Sequence, residues 1–589
     1  MRARFTVPTT GRAAEAEEGF LTKNMRTRPR RFCRELTWLA SSLFAVLYAH
    51  ESQADEARSA VEAGGVDGLS VASALTRRDD DARLLDPPAE EGLLRLLGHG
   101  ELQVRGVGMA DLALDRSPTY AAAHPGASSQ SLGQRVFGTQ WLRLRPTLQI
   151  GRNVKIVGQA DVFGGIILGD LTRDVNSDGH PRDAFDSIGN AELRWAFLEW
   201  LTPIGLVRVG RQPSHWGLGM VANDGDHRPR FGDYRRGSTG DRVLFATKPL
   251  GESSPLVVAV AGDLVRRDTI ANENRGDATM QGVAAILWQG DRVEAGVYGA
   301  LRRQTNDRTS VPNVAFYTDS LRALVGDAYV RTTSALVGDV EVVAGAEVAV
   351  LTAQSDVPRT AEALRRGQRT TIAGLGVLAE FTIQGGRLEQ KGLRPRPKWS
   401  ATLEYGFASG QADPFASTQT RFSFDTNHRV GLVLFDEVIR WQTARAATAI
   451  QDPYLAAQSR PVPGVDLLPT SGSVTGATYM QPSFTYRPAA SLDLTVGALV
   501  AQSTADVVDP YRLAVDGTYA NYVGGAPRGR DFGVEVDAAI EKRWVSEAGL
   551  VPQLGVQAGI LFPGTAFADA KGNTMPSPWL VQGRAGIQF

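Results

Sequence analysis

The sequence predicts an all-β protein, a transmembrane antiparallel up-and-down β-barrel of about 18 strands. Three observations predict it. From Glu101 onward, apolar and polar residues alternate with a period of two, which puts alternate side chains on opposite faces of a sheet. Tight turns alternate with loops of roughly fifteen to sixty residues, as in barrels with short periplasmic turns and long external loops. In the last segment Trp579, Val581, Gly583, Ala585, Ile587 and Phe589 oppose Leu580, Gln582, Arg584, Gly586 and Gln588. An alternating final strand with a terminal aromatic resembles the signal read by the barrel-assembly machinery, which is therefore an expected partner.

Composition narrows the setting. The 589 residues carry a formal charge of −1, with 22% charged residues, 63 Gly and 1 Cys. These values exclude a disordered chain, a basic nucleic-acid-binding tail, a disulfide scaffold and a Cys-ligated metal cluster. Residues 1–54 read as an export signal. A basic block (Arg26, Arg28, Arg30, Arg31, Arg34) precedes the apolar stretch Leu36–Ala49 and the small residues of Ser52-Gln53-Ala54. Met25 is a candidate true start. The apolar stretch is short of the ~20 residues of a spanning helix, although a single anchor is the competing reading. Cleavage after Ala54 removes nine basic and five acidic groups and leaves a charge of −5 and no cysteine. Residues 55–100, rich in Ala, Gly, Asp, Glu and Arg, read as a flexible periplasmic segment with a short helix around Glu90–Leu97. The expected location is the bacterial outer membrane.

Residues 101–589 are the expected barrel. Strands are expected near 101–114, 137–150, 154–163, 189–200, 205–211, 241–248, 256–264, 280–288 and 292–303. Nine more follow near 322–331, 337–350, 369–383, 398–407, 476–487, 492–502, 530–541, 550–562 and 578–589. Many run to about ten residues, the span of a tilted strand across a bilayer. Gly151-Arg152-Asn153, Thr202-Pro203-Ile204, Gln289-Gly290-Asp291 and Pro488–Ser491 read as tight turns, and all fall on one side. The awkward link is 384–397, which parity makes a longer periplasmic turn.

The two faces differ in chemistry. One holds Leu142, Leu144, Leu148, Ile150, Leu193, Trp195, Val293, Val297, Leu492, Leu494 and Val496, and is expected to meet outer-membrane lipid. Trp288, Trp399, Tyr405 and Trp579 near strand ends suit an interfacial belt; Trp141 falls on the polar side. The other face carries Arg143, Arg145, Lys155, Asp161, Glu192, Arg194, Glu294, Arg302, Asp327, Arg331, Glu341, Glu347, Glu404, Asp531, Glu535, Asp537 and Arg584. A charge facing lipid at the midplane costs ~2–4 kcal/mol, so these groups are expected to line a wet lumen. Bases cluster on the early strands and acids on the later ones. Either the two walls impose a transverse field on a permeant, or the charges pair and fill space.

The longest external segment, 411–475, contains the apolar run Phe422–Glu437 and is expected to fold inward as a constriction, where Asp425, His428, Arg429, Asp436 and Glu437 would meet the permeant. The alternative is a structural lid. Asp174-Val175-Asn176-Ser177-Asp178-Gly179 resembles a calcium loop, with Asp174, Asn176 and Asp178 as oxygen ligands, but Phe185 stands where the bidentate Glu belongs. Asn223-Asp224-Gly225-Asp226 is a weaker case. Calcium apart, no cofactor is expected.

Catalytic motifs of the G-x-S-x-G, H-E-x-x-H and P-loop types are missing from the sequence, so an outer-membrane enzyme is only a minor alternative. At Gly210-Arg211-Gln212-Pro213-Ser214-His215-Trp216-Gly217-Leu218-Gly219 and at Phe422–Glu437, the chain resembles an uncharacterised family of predicted Gram-negative outer-membrane barrels. It is more distantly similar to alginate-export porins. The resemblance implies a barrel of 18 strands and carries no substrate. The expected function is a porin-like channel for passive passage or export of a polar or charged solute. The alternative is a structural or surface-recognition barrel with a loop-filled lumen.

Overall fold

The computed structural model describes residues 94–112, 133–169, 190–233, 237–268, 270–271, 273, 276–306, 319–390, 393–450, 461–546 and 550–589. The expected export signal and the calcium loop at Asp174, Asn176 and Asp178 lie outside the described residues.

Among the described residues, eighteen strands form one closed sheet. They are β1 (Leu94–Leu112), β2 (Gly133–Ile150), β3 (Val154–Gly169), β4 (Asn190–Thr202), β5 (Gly205–Pro213), β6 (Thr239–Thr247), β7 (Leu256–Arg267), β8 (Asp277–Gln289) and β9 (Val293–Asn306). The circuit continues with β10 (Asp319–Val337), β11 (Val340–Ser355), β12 (Thr370–Gln390), β13 (Leu393–Ala408), β14 (Ala477–Ala489), β15 (Leu492–Ser503), β16 (Asp531–Arg543), β17 (Val551–Pro563) and β18 (Trp579–Gln588). Chain neighbours pair antiparallel, and β1 pairs with β18 from Glu101 opposite Gln588 to Ala110 opposite Trp579. Closure leaves no unpaired edge, which is how a sheet survives where water cannot reach its backbone. Each expected strand window falls on one of these strands.

The departures have physical causes. β1 begins at Leu94, and Leu94–Leu97 are strand, not helix, because β2 runs to Ile150 and Leu94 pairs with it. Leu94 and Leu96 point outward. The expected long turn at 384–397 is not one. β12 and β13 stay paired to Gln390 opposite Leu393, so the hairpin is two long arms. Among the register shifts of the sheet, two reverse residues whose facing the sequence predicts. Gln159 opposes Trp195 while Ala160 opposes Leu193, so Arg194 is the extra residue. As a result Trp195, expected on the lipid side, is buried inside with Arg194. At the head of β16, Ala501 opposes Gly533 and Gln502 opposes Asp531. Gly533 takes a left-handed φ of 98° there, Phe532 turns inward, and Asp531, expected in the lumen, is exposed at the rim instead.

Elsewhere the faces sort cleanly. Val297, Leu301, Leu324, Val350, Val496, Val536, Ile540 and Leu554 are exposed on the outer wall, where isolated water contact would waste ~25 cal/mol per Å² of apolar area. Trp200, Trp288 and Trp544 stand exposed at the short-turn rim and Trp579 at the other. Trp141 is inward of these, with the Arg143 guanidinium 4.7 Å over its ring. Gly100 accepts and donates backbone bonds with Phe589, and the Phe589 ring lies where a Cβ on Gly100 would sit. No helix among the described residues is long and apolar enough to cross a membrane.

An outer wall solvated by acyl chains makes a definite prediction. Val297→Arg, in the middle of β9, should destabilise the barrel by ~2–4 kcal/mol in guanidinium titrations in lipid vesicles. Thr305→Arg, at the loop end of the same strand, should cost less than half of that.

Candidate functional site

The described part of the β5–β6 connection, residues 214–233 and 237–238, does not stay at the rim. It crosses the barrel interior and carries a charge for each wall. Asp226 meets the basic wall: Arg143 Nη1 lies 2.8 Å from its Oδ1, and Arg145 also pairs with it. Arg143 additionally holds Asp161 in a bidentate pair, at 2.8 and 3.0 Å. Arg194, reoriented by its bulge, donates to the Asp224 carbonyl at 3.0 Å. The same segment then turns to the acidic wall. Arg228 pairs with Glu541, and Arg230 reaches Glu404 at 2.7 Å and Glu380 at 3.0 Å. It finishes at Asp233, 3.0 Å from Arg105 and 3.6 Å from Arg584. The separation of basic and acidic walls is therefore bridged by a strap that sets carboxylates against wall arginines and arginines against wall carboxylates.

The second infolded segment lies between β13 and β14 and comprises residues 409–450 and 461–476 among those described. Its apolar run is too hydrophobic for water and packs inside: Phe422, Phe424, Val430, Leu432, Val433, Leu434, Phe435, Val438 and Trp441 are buried. Wall residues Ala349, Leu378, Tyr479, Leu499, Phe532 and Leu561 join Leu218, Met220 and Phe231 of the strap in the same cluster. The run turns through a π-helical stretch (Leu434–Ile439) into α1 (Arg440–Ile450). Nearer the rim, α2 (Pro510–Asp516) is capped by Asp509, which also accepts from Arg445 of α1 at 2.9 Å.

Two wall glutamates hold these segments. Glu535 accepts from the amides of Leu432, Val433 and Leu434 at 2.5, 2.8 and 2.7 Å. Glu347 accepts from the amides of Leu218 and of Met220, the latter at 3.2 Å. Neither glutamate has any exposure. Gly431, with φ 69°, and Gly217, with φ 54°, let the backbone pass within van der Waals range of these carboxylates; a Cβ there would lie 2.6 Å from the carboxylate oxygen.

The two segments also grip each other through Asp425. Its carboxylate accepts from Asn223 N at 3.2 Å and Ser238 Oγ at 3.0 Å, and its amide donates to the Met220 carbonyl at 2.7 Å. Burial pushes this carboxyl up to about 6, against the donations from Asn427, Ser238 and Asn223 that pull it down. On the strap, burial would raise Asp224 too, but the His227 and His215 rings outweigh it and hold Asp224 below the usual carboxylate range.

The remaining expected site residues are dispersed. Glu404 sits 3.0 Å from His428 Nε2 and accepts from Tyr479 at 2.6 Å. Arg429 pairs with Asp436, and Glu437 accepts from Trp441 Nε1 at 2.9 Å. Asp537 is buried beside Glu535 on β16. Asp327 accepts from Trp216 Nε1 at 2.8 Å, and Glu294 from Tyr329 at 2.6 Å. Arg302 pairs with Asp268, Arg584 with Glu541, and Glu192 lies 4.0 Å from Arg267. Arg331 stands opposite Glu294 on the neighbouring strand, and Lys155 opposite Glu199. Glu341 is exposed at the short-turn rim, near Gln384. The strap residues Arg228, Arg230 and Asp233 escaped sequence reasoning, and Asp226 entered it only as part of the weaker calcium case. Their signal was a dense mixture of both charges in a connection whose head, Trp216-Gly217-Leu218-Gly219-Met220, alternates like a buried segment. In Asn223–Asp226, Asp226 is held by Arg143 and Arg145. At the long-loop rim a cleft open to solvent lies among Arg421, Gln442, Thr470, Asp506, Tyr522 and Phe532.

No protein-family model and no curated protein matches the chain. Among solved structures, it is similar to OccAB1 of Acinetobacter baumannii (11% identity, 84% of this chain and 97% of that one, TM-score 0.44). OccK9 (OpdG) of Pseudomonas aeruginosa is another (11% identity, 84% and 97%, TM-score 0.43). A third is the outer membrane protein OprD of Pseudomonas aeruginosa (10% identity, 84% and 94%, TM-score 0.40).

Two outcomes follow from the clamps. Glu535→Ala strips three buried amides of their acceptor, at ~1–3 kcal/mol each. Hydrogen exchange at Leu432–Leu434 should accelerate at least a hundredfold while the β16 and β17 ladders stay protected. For Asp425 the raised value means its contribution to the junction is complete below the ordinary carboxylate range and is lost as pH rises through about 6. Protection of the Asn223 amide, corrected for intrinsic exchange, should fall across that window by on the order of 3 kcal/mol, and Asp425→Asn should flatten the dependence.

Proposed function

We propose that the protein is a channel of the bacterial outer membrane that passes a small polar or charged solute, with its bore set by the two infolded segments. The observation that carries this reading is that charged groups inside the wall keep contact with water around those segments. Arg145 retains 22% of its side-chain accessibility, Arg230 26%, Glu380 16% and Glu199 19%. An interior meant only to be filled would have apolar or fully buried groups there, because a partly solvated charge gains little from its partner. The apolar outer wall and the expected export signal fit insertion by the barrel-assembly machinery into lipid. The cleft at the long-loop rim is the natural point of entry, since its Arg421, Asp506 and Tyr522 offer polar contacts before the strap is met.

A second reading, a plugged structural or recognition barrel, is favoured by one observation: the apolar cluster that joins both segments to the wall. Single-channel recording in planar bilayers separates the two. Under the channel reading the wild type conducts in small, ion-selective steps, and deletion of residues 422–438 raises conductance several-fold. A silent wild type that conducts only after the deletion would establish the plugged barrel in its place.

A further inference from the structure

One cluster in the strap is not used by the charge bridging. His215 opens the segment, and Asp224 and His227 return to it. Asp224 Oδ1 lies 3.0 Å from His227 Nδ1 and 3.8 Å from His215 Nδ1. The two imidazole rings have centroids 4.8 Å apart, and one ligand atom from each of the three residues lies within 4.8 Å of the others. A tetrahedral zinc centre with bonds of about 2.0–2.1 Å holds its ligand atoms ~3.4 Å apart, so the three donors converge to that spacing with small rotations.

The backbone brings this about. Trp216 N donates to Ala222 O at 3.0 Å, closing the Trp216–Ala222 reversal, and Ser238 N donates to Asn223 O at 3.0 Å. Gly219, at φ 84°, leaves room for the His215 ring, whose Cε1 would lie 3.3 Å from a Cβ there. Gly237 abuts the Asp224 backbone where no side chain fits. From outside the cluster Arg194 holds the Asp224 carbonyl, while Arg143 and Arg145 occupy Asp226 and leave Asp224 as the carboxylate for the imidazoles.

We propose that His215, Asp224 and His227 form a binding site for a divalent transition metal ion of the zinc class, which pins the head of the strap to its middle. Two imidazoles and one carboxylate select a borderline cation over calcium or magnesium, which take oxygen donors. Three protein ligands leave one position for water.

The test titrates tag-free, chelator-treated full-length protein in detergent with Co²⁺, followed by Zn²⁺. Expected are one Co²⁺ per chain, d–d absorption of a low-coordinate nitrogen and oxygen site, displacement by Zn²⁺ and no displacement by Ca²⁺ or Mg²⁺. His215→Gln and His227→Gln should each weaken binding at least about tenfold and abolish the band, with barrel folding read from heat-modifiable gel mobility. Absence of saturable Co²⁺ binding by the wild type overturns the proposal, as does equal binding by a folded His215→Gln variant. Should neither variant fold, the wild-type titration alone decides.

Discussion

The interior of this barrel depends on carboxylates that accept main-chain amides. A loop drawn into a sheet's cavity loses water from its N–H groups and finds no strand ladder to replace it, so each buried amide must be met by a side chain or by a carbonyl of another loop segment. Glu535 meets three and Glu347 two. Without these acceptors the apolar run 422–438 would still avoid water, yet nothing would fix its height or rotation against the wall. Hydrophobic burial supplies the drive, and the two glutamates supply the address.

Electrostatics follows from that placement. Once Glu347 holds the head of the strap, its Asp226 faces Arg143 and Arg145, and its Arg228 and Arg230 face Glu541, Glu404 and Glu380. Opposed basic and acidic walls alone would polarise any solute crossing the lumen. A strap that answers each wall with its own counter-charge shortens the field to local pairs, and what remains accessible to water is a set of partly solvated charges of both signs.

Most of the wall was legible in the sequence. Period-two alternation, turn residues and parity located every strand, because lipid on one side and charge on the other leave a residue almost no freedom of face. Legibility failed where local geometry overrides that rule. The bulges at Arg194 and Phe532 each insert one residue, and a single extra residue reverses all facing beyond it until the partner strand compensates. Legibility failed again for the strap, whose inward path is set by partners on β2, β11, β13 and β16, more than 60 residues away in several cases. The apolar run 422–437 betrayed itself by composition; the strap, being polar, looked like an ordinary surface connection.

Asp425 makes the two segments interdependent. Withdrawing residues 409–476 would uncover Asn223, Ser238 and Met220, and withdrawing the strap would abandon Asp425 in an apolar surround. Partial displacement of one segment thus carries the desolvation cost of both. Neither segment can therefore shift without unsettling the other, and the two are expected to move as one unit.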